Sequence, residues 1–232
     1  MESCKPILTP VQERLKLQKD GARKLAYSRF MEAPRQSHML ATKRILRYVK
    51  GIQGDGIFYP INCQVELVGY TDSDWGDDVE RAKSISGYAF HIGYGVISWS
   101  LKEQQAVALL STEAKYNAAT NCATQAVSLR QLLGVLHHEQ KSPTTIYYDN
   151  NSAIALAKNP IFHGMTKHIH VKFDYICDLV NDKVVEVQYC PIGEQIAHIF
   201  TKGLKADLFV KLKKMMGIES YEEFGLREAI GS

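Results

Sequence analysis

Apolar and polar positions change period several times along the chain, and each change predicts an element. Residues 1 to about 24 have no period that would bury a face and are punctuated by Pro6, Pro10 and Gly21, so they are expected to form a loosely held arm. From Ala26 to Gly51 the period becomes helical. Ser37 can cap this helix, Leu40, Ile45, Leu46 and Val49 form an apolar stripe, and Gly51 closes it. Lys43, Arg44, Arg47 and Lys50 lie largely opposite, a face that suits either solvent or a phosphate backbone.

Beyond the turn residues Gly51, Gly54 and Gly56 the pattern turns to strands. Ile57-Phe58-Tyr59, Val65 to Thr71, Ser86 to Ile92 and Val96 to Ser100 are rich in β-branched and aromatic residues. Gly93-Tyr94-Gly95 separates the last two as a hairpin signal, so Val65 to Ser100 predicts a three-stranded antiparallel meander. Ser111 or Thr112 then caps a long helix whose buried face is Ala118, Cys122, Leu129, Leu132, Leu133 and Leu136. Thr144 to Tyr148 is another strand, followed by Asp149 and a short helix from Ser152 to Lys158 that Asn159-Pro160 ends. A helix within 163 to 182 carries Ile169, Phe173, Ile176 and Val180, with Cys177 beside the stripe. Val184 to Cys190 reads as a last strand and Glu194 to Met216 as a final helical region.

Composition narrows this picture without deciding it. A chain of 232 residues can hold one sizeable core, and a net charge of +3 permits nucleic-acid contact without demanding it. Five cysteines, widely spaced and free of any CxxC, indicate neither a disulfide framework nor a cysteine zinc site. No apolar run approaches membrane-spanning length, and no secretory signal is read at the N-terminus. The expectation is a soluble intracellular protein, cytoplasmic or nuclear, without a membrane partner.

The candidate chemistry lies in three acids. Asp72 follows an apolar strand, Glu113 sits in the first turn of the long helix, and Asp149 follows another strand. Each has an ordinary explanation: an Asp bonds its own backbone in a turn, and a helix N-terminus favours a carboxylate. Together, in a β-β-β-α-β-α order, they suit hard divalent cations, which take oxygen ligands and can clamp a scissile phosphate in pairs. His163, His168 and His170 match no standard zinc spacing.

The ordered motifs resemble the RNase H region at the C-terminal end of copia-type retrotransposon Pol polyproteins, especially those of plants. They are GYTDSDW at 69 to 75, KSISGYAFHIGYGVISWS at 83 to 100, LLSTEAKYNAAT at 109 to 120, YYDNNSAIALAKNPIFHGMTKHI at 147 to 169 and EQIAHIFTK at 194 to 202. Residues 28 to 51 resemble the connection leading out of the family's reverse transcriptase, and 4 to 22 sequence just upstream of it. The resemblance implies an α/β, RNase H-like fold with a mixed five-stranded sheet flanked by helices. It also implies cleavage of the RNA strand of an RNA–DNA hybrid by a two-metal mechanism with Mg²⁺, or Mn²⁺, next to a reverse transcriptase domain.

The resemblance divides the chain into a truncated reverse-transcriptase-derived arm (1 to 27), a connection helix region (28 to 60), an RNase H-like domain (61 to 204) and a C-terminal helix and tail (205 to 232). It carries the family's metal-binding acids onto Asp72, Glu113 and Asp149, and its fourth catalytic position onto His198, where Ala-Asp-Ile-Phe-Thr-Lys is usual and this chain reads AHIFTK. A histidine is a poor Mg²⁺ ligand and adds no negative charge, so it weakens one metal position. Glu194, one turn earlier on the expected helix, is a candidate substitute. Lys115 and His170 also stand where acids are usual. The alternatives are a catalytically inactive nucleic-acid-binding remnant and an integrase-type phosphotransferase; the motif order argues against the second.

Overall fold

The computed structural model describes residues 4–13, 36–61, 64–74, 83–104, 111–151, 154–155 and 167–221. They fall into two compact units. One comprises Ile57–Lys202 and Leu212–Ile218; the other draws on Met1–Gly56, Gly203–Lys211 and Glu219–Ser232.

In the unit that begins at Ile57, the meander forms as its pattern predicts: β2 (Leu67–Asp74), β3 (Ile85–Ile92) and β4 (Gly95–Glu103) pair antiparallel in succession. The short β1 (Asp55–Ile57) precedes them. Helix α2 (Ser111–Val135) leads to β5 (Thr144–Tyr148), which lies parallel to β2, and helix α3 (Lys167–Asn181) leads to β6 (Val185–Tyr189), parallel to β5. The strand order β4-β3-β2-β5-β6 is a mixed five-stranded sheet flanked by helices, an RNase H-like fold. The short helix expected over 152 to 158 and His163 lie outside the described residues, apart from Ile154 and Ala155.

The core explains the arrangement. Leu67, Phe90, Ile146, Val185 and Val187 of the sheet pack with Ala119, Cys122, Ala123, Ala126 and Leu129 of α2 and Ile176 of α3. The alanines let the helix approach closely, and each large side chain buried there contributes about 1.5–3 kcal/mol. Of the face predicted for α2, Leu129 and Leu133 are buried whereas Leu132 and Leu136 are exposed, so the inward stripe at the end of the helix is narrower than expected. Buried Gln104 fixes the start of α2, donating to Ser86 Oγ and to the Ala114 carbonyl, both at 2.7 Å. Arg130 ties its far end to the Gln140 and Ser142 carbonyls and Thr144 Oγ1, bracing the entry to β5.

Ala89, Val96, Ile196 and Met216 form a separate core cluster. Elsewhere on β3, His91 is buried with its ring 5.6 Å from that of Tyr70 and Nε2 without a partner. Burial pushes its pKa down to about 4.

The expected final helical region is made of separate short segments. After a 3₁₀ turn at Ile192–Glu194 come α4 (His198–Thr201), an extended Lys202, and α5 (Ala206–Met215). Gln195 is also extended, so Glu194 does not share a helix with His198 and the one-turn spacing proposed for it is absent. A last strand, β7, spans Ile218–Ser220.

In the other unit, α1 (Gln36–Gly51) forms where predicted but turns a different face inward. His38 and Ala41 are buried and Ile45 and Tyr48 half-buried, a row at helical spacing, while Leu40, Leu46 and Val49 are exposed. Tyr48 meets Phe209 edge to face at 5.7 Å. The basic face holds part of the N-terminal arm, which is therefore not loose between residues 4 and 9. Arg44 donates to the Thr9 carbonyl (3.1 Å) and hydroxyl (2.6 Å), Arg47 to the Lys5 carbonyl (2.7 Å) and Lys50 to the Cys4 carbonyl (3.2 Å).

Candidate active site

Sheet register brings two of the predicted acids together. Strand β2 runs on past Thr71 to Asp74, so Asp72 is a strand residue opposite Gly87 of β3 rather than a turn residue. On the other side Val68, Gly69 and Tyr70 pair in parallel with Thr145, Ile146 and Tyr147. Continuing that register two residues brings Asp149 level with Asp72.

The turn of α4 closes over this pair. Gly87 makes room for it: a Cβ there would lie 2.9 Å from Thr201 Cγ2 and 3.3 Å from Phe200 Cβ. Gln195 anchors the preceding segment by donating to the Tyr147 carbonyl (3.1 Å) and accepting from the Ala197 N–H (3.2 Å). Thr201 Oγ1 then donates to Asp72 Oδ2 at 2.5 Å. His198, buried, sets Nε2 3.1 Å from Asp149 Oδ2 and 3.7 Å from Asp72 Oδ2. One ligand atom from each of Asp72, Asp149 and His198 lies within 4.8 Å of the others.

Glu113 stands in the first turn of α2, half-buried, and its carboxylate is not in this group. Lys115 is, through Asp149: its ammonium lies 2.7 Å from Asp149 Oδ1. His168 and His170 belong to α3, and Glu194 is also outside the group.

Two lysines supply what sequence reasoning left out. Lys115 was visible only as a departure from an acid, and Lys202 only as the end of the IFTK motif. Lys202 Nζ lies 3.1 Å from Asp72 Oδ2, 3.6 Å from Asp149 Oδ2 and 2.6 Å from His198 Nε2. A single ring nitrogen cannot donate to Asp149 and accept from Lys202 at once, so those two contacts of His198 are alternatives. Burial alone would raise the Asp149 pKa. A hydrogen bond from His198, the hydrogen bond and charge of Lys115 and the charge of Lys202 outweigh it and hold the carboxyl well below the usual range.

The donor set can be tested against a divalent cation. Asp72 Oδ1 is buried without a hydrogen-bond partner, which leaves its lone pairs available to a cation. Two carboxylates and an imidazole fit one ion, and an imidazole suits Mn²⁺ and later transition metals better than Mg²⁺. Among the described residues, the group contains no further acid for a second ion.

The chain is 38% identical over 193 residues to the retrovirus-related Pol polyprotein from transposon TNT 1-94 of Nicotiana tabacum, a match covering 83% of this chain and 14% of that one. It is 35% identical over 191 residues to the Pol polyprotein from transposon RE1 of Arabidopsis thaliana, covering 82% and 13%. Over most of its length, then, the chain is homologous to retrovirus-related Pol polyproteins of plant transposons. It spans about one seventh of the length of these Pol relatives. No protein-family model matches it. Among solved structures, the N-terminal RNase H domain of a Mycobacterium tuberculosis protein is similar at 11% identity and a TM-score of 0.42, covering 65% of this chain and 97% of that one. No helix among the described residues is long and apolar enough to cross a membrane.

Proposed function

We propose that this chain is the ribonuclease H segment of a copia-type Pol polyprotein and cuts the RNA strand of RNA–DNA hybrids. The observation that carries the reading is the convergence of Asp72, Asp149 and His198 at the ends of two adjacent parallel strands. Asp72 and Asp149 would hold a divalent ion, Mg²⁺ or Mn²⁺, and Glu113 would help to hold a second in the two-metal scheme of such enzymes. When bound, the ions neutralise the scissile phosphate and supply an activated water.

The chain's own residues prepare the site. Thr201 fixes the rotation of the Asp72 carboxylate, and Lys115 fixes that of Asp149 and keeps it ionised. His198 contributes a ligand atom but no charge, which weakens the affinity for Mg²⁺ relative to an aspartate. Hybrid recognition would rest on groove shape, phosphates and 2′-hydroxyls, with little base preference. In a parent polyprotein, a reverse transcriptase domain would deliver the hybrid.

One observation favours a second reading, an inactive nucleic-acid-binding domain: Lys115 and Lys202 already neutralise both carboxylates. Cleavage of a labelled RNA–DNA hybrid in Mg²⁺ and in Mn²⁺ separates the two. Under the first reading the parent cuts, more readily in Mn²⁺, and Asp72→Asn abolishes cutting. Activity confined to His198→Asp would mean that the site survives with its fourth ligand lost, and silence in all three proteins would favour the binding domain.

A further inference from the structure

The three ligand atoms that define the candidate site share a neighbour the proposed chemistry does not use. Lys202 Nζ lies 2.6 Å from His198 Nε2, 3.1 Å from Asp72 Oδ2 and 3.6 Å from Asp149 Oδ2. An ammonium has three protons and no lone pair, so it serves converging acceptors as a small cation does. With Lys115 on the other oxygen of Asp149, two ammonium groups balance two carboxylates, leaving no net negative charge to draw in a divalent ion.

We propose that Lys202 is a tethered cation that occupies the metal position, so that a divalent ion binds only by displacing it. The inference rests on the reading of Asp72 and Asp149 as metal ligands. Exposure shows which group moves: the Lys202 side chain is 33% exposed, whereas those of Asp72 and His198 are 0% and 1%. Lys202 lies just beyond α4 in extended backbone, and its N–H caps the helix on the His198 carbonyl, a contact that does not involve the side chain. The long stem can therefore swing outward without unwinding the turn that holds His198 and Thr201. One buried atom supports an exchange: Asp72 Oδ1 has no hydrogen-bond partner, so the ammonium balances the charge of the cluster without satisfying this carboxylate fully.

The test is Mn²⁺ binding to the full chain, followed by electron paramagnetic resonance, for the parent, Lys202→Gln, Lys202→Arg and the double variant Lys202→Gln with Asp72→Asn. Lys202→Gln should bind Mn²⁺ about ten-fold tighter than the parent. Lys202→Arg should stay close to the parent, and the double variant should lose the gain. A folded Lys202→Gln protein that binds no tighter overturns the proposal.

A second measurement needs no variant. Mild reductive methylation of the parent, read at Lys202 by mass spectrometry, should rise several-fold in Mn²⁺ over EDTA as the amine is released; equal labelling in saturating Mn²⁺ overturns the proposal as well. Hybrid cleavage is scored separately. A gain in Mn²⁺ affinity without cleavage sinks the nuclease reading and leaves the tethered cation standing; cleavage without that gain does the reverse.

Discussion

On α1, Arg44, Arg47 and Lys50 direct their donors at oxygens of residues 4–9, mostly neutral backbone carbonyls, and they do so at or near the surface. Around Asp72 and Asp149, Lys115 and Lys202 direct theirs at carboxylates whose side chains are almost wholly buried. The residue types are alike, but the energetic stakes differ. A surface hydrogen bond to a carbonyl exchanges one polar partner for water and contributes about 0.5–1.5 kcal/mol. A buried carboxylate stripped of its cation has nothing to exchange with, and such losses run to about 3–5 kcal/mol. Partner and burial, rather than the lysine or arginine itself, set what each contact is worth.

The largest effect expected from this contrast comes from adding charge where it is already balanced. His198→Asp places a third carboxylate beside Asp149 and Asp72 with no new cation, so in EDTA it should lower unfolding stability by about 3 kcal/mol or more, and Mn²⁺ should restore it. Urea unfolding with and without the ion measures both; an unchanged midpoint in EDTA would break the charge-balance account. His91 is the limiting case, a buried titratable group shifted by burial alone. Its pKa of about 4 lies below the unfolded value of about 6.5, so its neutral form stabilises the fold above pH 6.5. That contribution, about 3 kcal/mol, is lost as the pH falls from about 6.5 to 4, and His91→Leu should flatten this part of the stability profile.

Lys115→Met sharpens the comparison at one contact. It leaves Asp149 Oδ1 without its donor while His198 and Lys202 stay beside Oδ2, so the cost at neutral pH should fall short of a full loss of cation, about 1–3 kcal/mol, with the Asp149 pKa rising in an NMR titration. The smallest effect belongs to α1. Arg47→Ala should change unfolding stability by less than about 1 kcal/mol, and limited proteolysis should show faster cutting near Lys5.

What was legible in the sequence follows the range of the interactions. The meander, α2 and β5 are visible because alternation, the Gly93-Tyr94-Gly95 turn and the α2 cap act over a few residues. Asp72 and Asp149 were singled out from apolar runs ending in acid, and the register that levels them is long-range. The role of Lys202 could not be read: its motif gives its identity, while its partners come from β2, β5 and α4. On α1 the apolar residues were counted correctly but the inward face was misjudged, since His38 and Tyr48 rather than Leu40 and Leu46 pack there. The helical region expected over 194 to 216 is present but interrupted for a local reason, the extended backbone at Gln195 and Lys202.

The parallel pairing of β2 with β5 has a consequence for the order in which the chain assembles. The meander closes through neighbours in sequence, whereas Asp72 acquires Asp149 only after α2 has been crossed, and Thr201 reaches it across 129 positions. Contacts so distant along the chain form late. During synthesis the sheet would thus hold two adjacent carboxylates with only Lys115 to balance them until residues 198–202 arrive. The segment that brings the histidine and lysine is then also a late clasp of the fold, and slowing its docking would delay the site while leaving the meander intact.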